Sequence, residues 1–307
     1  MVFKKNNFPA LMLMLTSTLY TSVSFATQVV DVPDEKFHAC LNGYLKEFNY
    51  PLAPITDTQL ASLTGSLSCA ETGTADITGA EYLINIDILN LEYNQLTAVA
   101  PLAGLTQLTK LSVGGNHIAS GAPLKGLINL KDLDMNNNDM YDADFISEMR
   151  NLVSLNLSAN MIKVYPGIEN LTSLENLYLQ SSNILDISQL STLTQLKQLS
   201  IDTNHVADMS PLAGMSALTS LLIKGQDIQL NSVPNTGSLT INNPVISING
   251  TPVPPTYISN GGVYQEGKIV WTTIPAGIES VSFDFGQTIE FDGMEVPFDG
   301  TVTQYLE

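Results

Sequence analysis

The chain has 307 residues, enough for two domains and a continuous core, and its 12 Lys and Arg against 30 Asp and Glu give a net charge of −18. That balance excludes nucleic acid and anionic lipid as partners, because both need a basic surface that releases counterions. It favours solubility and a partner that is cationic, neutral or metal-bridged.

Residues 1–26 read as a secretory signal peptide. Lys4 and Lys5 precede an apolar run from Ala10 to Leu15, and Ser24-Phe25-Ala26 offers small residues for cleavage after Ala26. The run is too short and too interrupted by Thr and Ser for a membrane anchor, and no later segment reaches transmembrane length. The mature chain is therefore expected to be exported: secreted, on the cell surface or periplasmic.

Residues 27–84 read as an N-terminal cap. Phe37, Leu41, Tyr44, Leu45 and Phe48 recur at helical spacing after Pro33-Asp34, and Thr56 is placed to N-cap a second short helix carrying Leu60 and Leu63. Cys40 and Cys69, the only cysteines, are expected to form a disulfide, as an even count invites in an exported protein. Buried free thiols or a redox pair are the alternatives, although the spacing is not Cys-x-x-Cys. By chain entropy such a bridge contributes roughly 3–4 kcal/mol.

From 85 to 231 a 22-residue period sets the architecture. Leu89, Leu111, Leu133, Leu155, Leu177, Leu199 and Leu221 fall in strict register, each followed two residues on by an apolar residue. Asn94, Asn116, Asn138, Asn160 and Asn204 stand three residues further on, with Ser182 and Gln226 replacing Asn in two of the seven units. This is the leucine-rich-repeat pattern L-x-x-L-x-L-x-x-N-x-L. Each L-x-L run is a short strand, and coils must stack because one coil alone cannot bury its apolar row. Turns such as Pro101-Leu102-Ala103-Gly104-Leu105 leave about a dozen residues for the return path, which suits 3₁₀ helix on the convex side. Gln226 lies where the repeats end; Ser182 marks a looser turn. Residues 232–307 switch to strand-like runs at Leu239–Ile241, Ile269–Thr272, Val281–Phe285 and Thr301–Tyr305, with Trp271 as core, which suggests a small sandwich.

The chain resembles the internalin family of bacterial surface proteins. The resemblance rests on the helical cap, the 22-residue repeats with Pro-Leu-x-Gly-Leu turns, and a C-terminal stretch containing Asn243-Pro244, Ile258-Ser259-Asn260, Val270-Trp271 and Phe298-Asp299-Gly300-Thr301-Val302-Thr303-Gln304. It implies a leucine-rich-repeat solenoid of parallel strands fused to an immunoglobulin-like β-sandwich, with the concave face binding proteins and the sandwich stiffening the rod. The sequence departs from the family in lacking a cell-wall sorting signal before Glu307 and in its cap cysteines. A shared fold does not transfer a receptor.

Residues flanking the strand leucines are expected on the concave face. Tyr93, Asp132, Asp134, Asn136, Asn156, Tyr178 and Asp202 are the candidate contacts with a protein, or less readily a glycan, and the chain is expected to be a monomer. The face is polar, carries no Arg, and has Tyr93 and Tyr178 as its aromatics, so modest affinity is expected. The run Asp132, Asp134, Asn136, Asn138, Asp139 resembles alternating calcium ligands, yet it lacks the glycine and closing Glu of such a loop, and Asn138 belongs to the asparagine row. No metal and no cofactor is assigned. Catalysis is not expected either: there is no Walker loop, His-Glu-x-x-His or Gly-x-Ser-x-Gly, and His117 and His205 lie about 20 Å apart by strand spacing. The competing reading is a periplasmic or envelope scaffold.

Overall fold

The computed structural model describes residues 27–47 and 54–307; the signal peptide assigned to 1–26 and Phe48 of the cap lie outside them. The described chain begins with α1 (Glu35–Glu47), whose Phe37, Leu41 and Leu45 are buried at the expected spacing. Asp34 starts this helix and ties it to the solenoid. One carboxylate oxygen accepts from the amides of Lys36 and Phe37, the other from those of Ala75 and Asp76. Thr56 caps α2 (Asp57–Ser62) in a reciprocal capping box with Gln59, and Leu60 and Leu63 are buried behind it. Cys40 on α1 is disulfide-bonded to Cys69.

Eight parallel strands then form one sheet in chain order: β1 (Gly65–Ser68), β2 (Ile86–Asn90), β3 (Lys110–Ser112), β4 (Asp132–Asp134), β5 (Ser154–Asn156), β6 (Asn176–Tyr178), β7 (Gln198–Ser200) and β8 (Ser220–Leu222). The register pairs Leu89, Leu111, Leu133, Leu155, Leu177, Leu199 and Leu221 side by side, all buried. Short 3₁₀ helices fill the return paths, from Ala80–Tyr82 to Ser210–Leu212. The eighth strand, β1, comes from the segment expected to be cap. Leu67, Cys69, Thr72 and Thr74 stand 22 residues before Leu89, Leu91, Asn94 and Leu96, so a degenerate coil begins inside it. The period extends one unit further than the leucines alone reveal, because Cys replaces Leu and Thr replaces Asn.

The asparagine row joins each coil to the one before. Asn116 Oδ1 accepts from the Leu96 amide at 3.0 Å, while its Nδ2 donates to the carbonyls of Leu91 and Val113 at 3.1 and 3.0 Å. Gln226, whose departure falls where the repeats end, reproduces the whole set with a longer arm, accepting from Val206 N and donating to Ile201 O and Ile223 O. Ser182 does not. Its hydroxyl donates to Leu157 O and Gln180 O, but it supplies no acceptor to the Ile162 amide, the bond that Asn204 makes to Ile184. The residue before each ladder position is left-handed, with φ between 50° and 66° at Tyr93, Gly115, Asn137, Ala159, Ser181, Thr203 and Gly225. The backbone therefore turns sharply there whatever the side chain.

Beyond the repeats stand two sheets. One has the order β10 (Leu239–Asn242), β13 (Lys268–Trp271), β12 (Val263–Gln265); the other has the order β11 (Pro255–Ile258), β14 (Ser280–Phe291), β15 (Met294–Leu306), β9 (Gln226–Val233). Trp271 is buried, as expected, and its indole N–H donates to Ser259 O. The four expected runs fall on β10, β13, β14 and β15, with Thr272 one residue past the end of β13. Strands β11 and β12 carry no clear alternation, and neither they nor β9 are among the expected runs. The boundary expected between 231 and 232 falls inside β9, which begins at the last ladder residue and pairs in parallel with β15. Asp299 closes the stack: its carboxylate accepts from Gly225 N at 2.8 Å, where Thr203 N finds the carbonyl of Lys224 on the following coil.

Two stability changes are expected, both readable by urea unfolding. Asn116→Ala strands buried backbone groups at about 1–3 kcal/mol each, so a loss of roughly 3 kcal/mol is expected. A Cβ on Gly300 would sit 2.0 Å from Gln226 O; Gly300→Ala should therefore strain the β9–β15 pairing and cost about 1–3 kcal/mol.

Candidate binding face

Strand alternation sends the leucines inward and leaves two rows of side chains on the open side of the sheet. One row is Ile88, Lys110, Asp132, Ser154, Asn176, Gln198 and Ser220; the other is Asn90, Ser112, Asp134, Asn156, Tyr178, Ser200 and Leu222. Glu92, Asn136, Gln180, Asp202 and Lys224 continue the surface past the strand ends, whereas Gly114 and Ser158 at the equivalent positions are buried. Seven steps of about 4.8 Å make the sheet about 34 Å wide.

Four of the candidate residues come together on neighbouring coils. Asp132 forms an ion pair with Lys110 at 2.7 Å, both side chains partly exposed. Asp134 accepts from Asn136 N at 2.9 Å and from Asn156 Nδ2 at 3.0 Å. The Asn136 side chain lies across Gly114, where a Cβ would meet its Oδ1 at 2.0 Å. Tyr93 joins from the adjacent coil. It occupies the left-handed turn position rather than either sheet row, and its ring lies over Gly115, 2.6 Å from where a Cβ would stand. The Gly114-Gly115 pair thus makes a saddle that Tyr93 and Asn136 fill from opposite sides. Tyr178 and Asp202 stand apart from this group. The Tyr178 hydroxyl donates to Gln198 Oε1, and Asp202 accepts from Lys224 N at 2.7 Å. Leu222, exposed in the same row as Tyr178, adds an apolar contact that its place among polar flanking residues did not single out.

The electrostatics do not favour a bound cation. Asp132 is already neutralised by Lys110, and Asn138 spends its amide on the ladder, donating to Val113 O and Met135 O. Among the described residues no cluster of three or more His, Cys, Asp or Glu could hold a metal ion. Desolvation pushes the Asp134 carboxyl above the ordinary carboxylate range, and the nearby Asp132 adds to the rise, outweighing the hydrogen bonds from Asn136 and Asn156. A raised folded-state value means that this carboxyl favours folding when protonated and loses that contribution as pH rises through its folded pKa. Asp134→Asn removes the titration. Thermal unfolding of the two proteins should therefore show the variant gaining on the wild type as pH rises above the unfolded carboxylate value of about 4 and through the raised folded one; a constant gap would contradict the assignment.

Comparison with known proteins agrees with this architecture. A family model described as LRR adjacent matches residues 250–307. Internalin I of Listeria monocytogenes is 42% identical over 67 residues, covering 22% of this chain and 4% of that protein. Internalin C of the same organism is 41% identical over 69 residues, covering 22% of this chain and 23% of that protein. The chain thus spans under a quarter of these curated relatives. Among solved structures, Listeria monocytogenes internalin C2 superposes with a TM-score of 0.58 at 27% identity, covering 66% of this chain and 85% of that one. Internalin InlF of the same species superposes with a TM-score of 0.59 at 28% identity, covering 67% and 65%. With an unbroken coil register and a matching C-terminal segment, the chain is similar to the internalins, in the fold of its repeats and in the sequence of its C-terminal part.

Proposed function

We propose that this protein is an exported, non-catalytic recognition module that engages a protein partner across the open face of its sheet. The observation carrying this reading is the pair of outward side-chain rows. They run across seven coils in register, and apart from the buried Ser112 and Ser200 their side chains remain wholly or partly exposed. A surface about 29 Å wide suits a standard interface of about 800 Å² per partner. The side chains best placed for contact are Tyr93 over the glycine saddle, the Asp132–Lys110 pair, Asp134 with Asn136 and Asn156, Tyr178, Asp202 and the exposed Leu222. Leucine-rich repeats of this family serve as protein-interaction modules, which supports a protein ligand over a glycan. The disulfide between Cys40 and Cys69 agrees with an oxidising compartment, and among the described residues no helix is long and apolar enough to cross a membrane.

In this reading residues 232–307 form an immunoglobulin-like sandwich of the two C-terminal sheets, and its task is to stiffen and close the solenoid. The parallel pairing of β9 with β15 and the Asp299 bond to Gly225 support that task, since they run the last coil directly into the sandwich.

The test is crosslinking capture by the chain from residue 27 onward, followed by affinity measurement on the captured protein. Tyr178→Ala and Tyr93→Ala should each weaken binding by about 1–2 kcal/mol, roughly 5- to 30-fold. Affinity unchanged in both variants would remove the open face from the interaction. Fractionation of the native cells supplies the second arm, because confinement to the periplasm would favour an envelope scaffold over a surface receptor.

A further inference from the structure

The flank of the solenoid just beyond the ladder turn differs in its middle from the same flank elsewhere. Three consecutive coils expose large apolar side chains there: Tyr141, then Met161 and Val164, then Leu185, with Val164 and Leu185 63% and 61% exposed. Two cavities open among them. One, of about 290 Å³, is lined by Lys163, Asn183, Leu185, His205 and Gln229. The other, of about 360 Å³, is mainly apolar; Val164, Tyr165, Ile184 and Ile187 contribute to it. Lys163 and Leu185 belong to both, so the cavities adjoin with an ammonium group and a leucine at their shared rim.

The position is that of the one ladder substitution that fails to replace asparagine. Ser182 leaves the Ile162 amide without the acceptor that Asn160 gives Met140 and Asn204 gives Ile184. Tyr165 lies on the same coil as Ile162, where the neighbouring coils have Ala143 and Ile187. Its buried hydroxyl approaches Ser182 without a hydrogen bond of good geometry, and the ring lines the larger cavity. Continuous apolar exposure of this kind marks an interaction surface, whereas scattered single residues do not.

We propose that this flank is a second docking site, for an extended peptide segment that presents apolar side chains on either side of an acidic residue. Two adjoining cavities fit successive anchors of an extended chain better than one enclosed small molecule. Charge chooses the middle residue. Lys163 forms no ion pair among the described residues, in a protein with 30 acidic residues against 12 basic ones. Asp186, the acid lining the larger cavity, turns its carboxylate to the amide and hydroxyl of Ser188. His205 is occupied by the Asp227 carbonyl and Asn183. The open sheet face takes no part in this site, so the two readings stand or fall separately.

The probes are two capped pentapeptides, acetyl-Ala-Leu-Glu-Phe-Ala-amide and its counterpart with Lys in place of Glu, titrated into the nitrogen-15-labelled chain and followed by two-dimensional NMR. The acidic peptide should shift the amides of residues 161–165 and 183–187 saturably, and the basic peptide should bind about two- to fivefold more weakly, the worth of one exposed ion pair. Lys163→Glu should invert that preference, Leu185→Ser should weaken both peptides, and Tyr178→Ala on the open face should leave them unchanged. No saturable shift at these amides would overturn the proposal, as would equal response to the two peptides. Shifts confined to the open face would do the same, and so would shifts on simple dilution, which would assign the patch to self-association.

Discussion

The structure depends on how the turn amides and carbonyls left buried between stacked coils find partners. A coil of 22 residues spends only three of them in most of its strands, so regular sheet bonding covers a small part of its backbone. Backbone bonds between turns, such as Tyr93 N to Gly114 O and His117 N to Leu96 O, cover much of the rest, and the ladder asparagine serves groups that these miss, because one planar amide can accept from the coil before and donate to carbonyls of that coil and its own. Few other side chains carry an acceptor and two donors at that reach. Gln226 shows that reach is adjustable when the backbone runs on into a strand. Ser182 shows the effect of an incomplete set of donors and acceptor: the coil still stacks, held by its leucines, but one amide is unserved and the neighbouring surface opens.

A stack of identical coils has no intrinsic end, and each end here is closed by a different device. At the front, a worn coil with Cys69 and Thr72 in place of leucine and asparagine is covered by α1, with Asp34 and the Cys40 bridge fastening helix to coil. At the back, the carboxylate of Asp299 takes the bond that another coil would have supplied, and β9 carries the chain directly into the next sheet. Both closures use groups distant in sequence, which couples the solenoid's integrity to the elements that flank it.

Once the leucines face inward, the outward positions are free of folding duty, and chemistry can vary there without loss of architecture. The open face is polar and internally bonded, with Asp132 held by Lys110 and Asp134 by Asn136 and Asn156. Such an arrangement orders side chains before a partner arrives, which lowers the entropy lost on binding. The flank around Val164 and Leu185 is apolar and unbonded instead, a contrast that suits different partner chemistry on two sides of one rod.

Much of this was legible in the residues. The 22-residue period, the inward leucines, the ladder row, the α1 face of Phe37, Leu41 and Leu45, and the Thr56 cap are local or periodic, and periodic signals survive in a sequence because each coil repeats the same physical problem. The worn coil at Leu67 was legible too, once Cys and Thr are allowed at ladder positions. Strands β11 and β12 were not, because their few residues lack alternation and exist by pairing with β14 and β13. What the sequence determined alone was which side chains each coil must bury. Only the tertiary structure decided that Tyr93 lies over Gly115, that Lys110 neutralises Asp132, and that Lys163, Leu185 and Tyr165 meet at one opening. Those arrangements join residues on different coils, and contact between coils depends on side-chain direction and on the space that a neighbour leaves vacant.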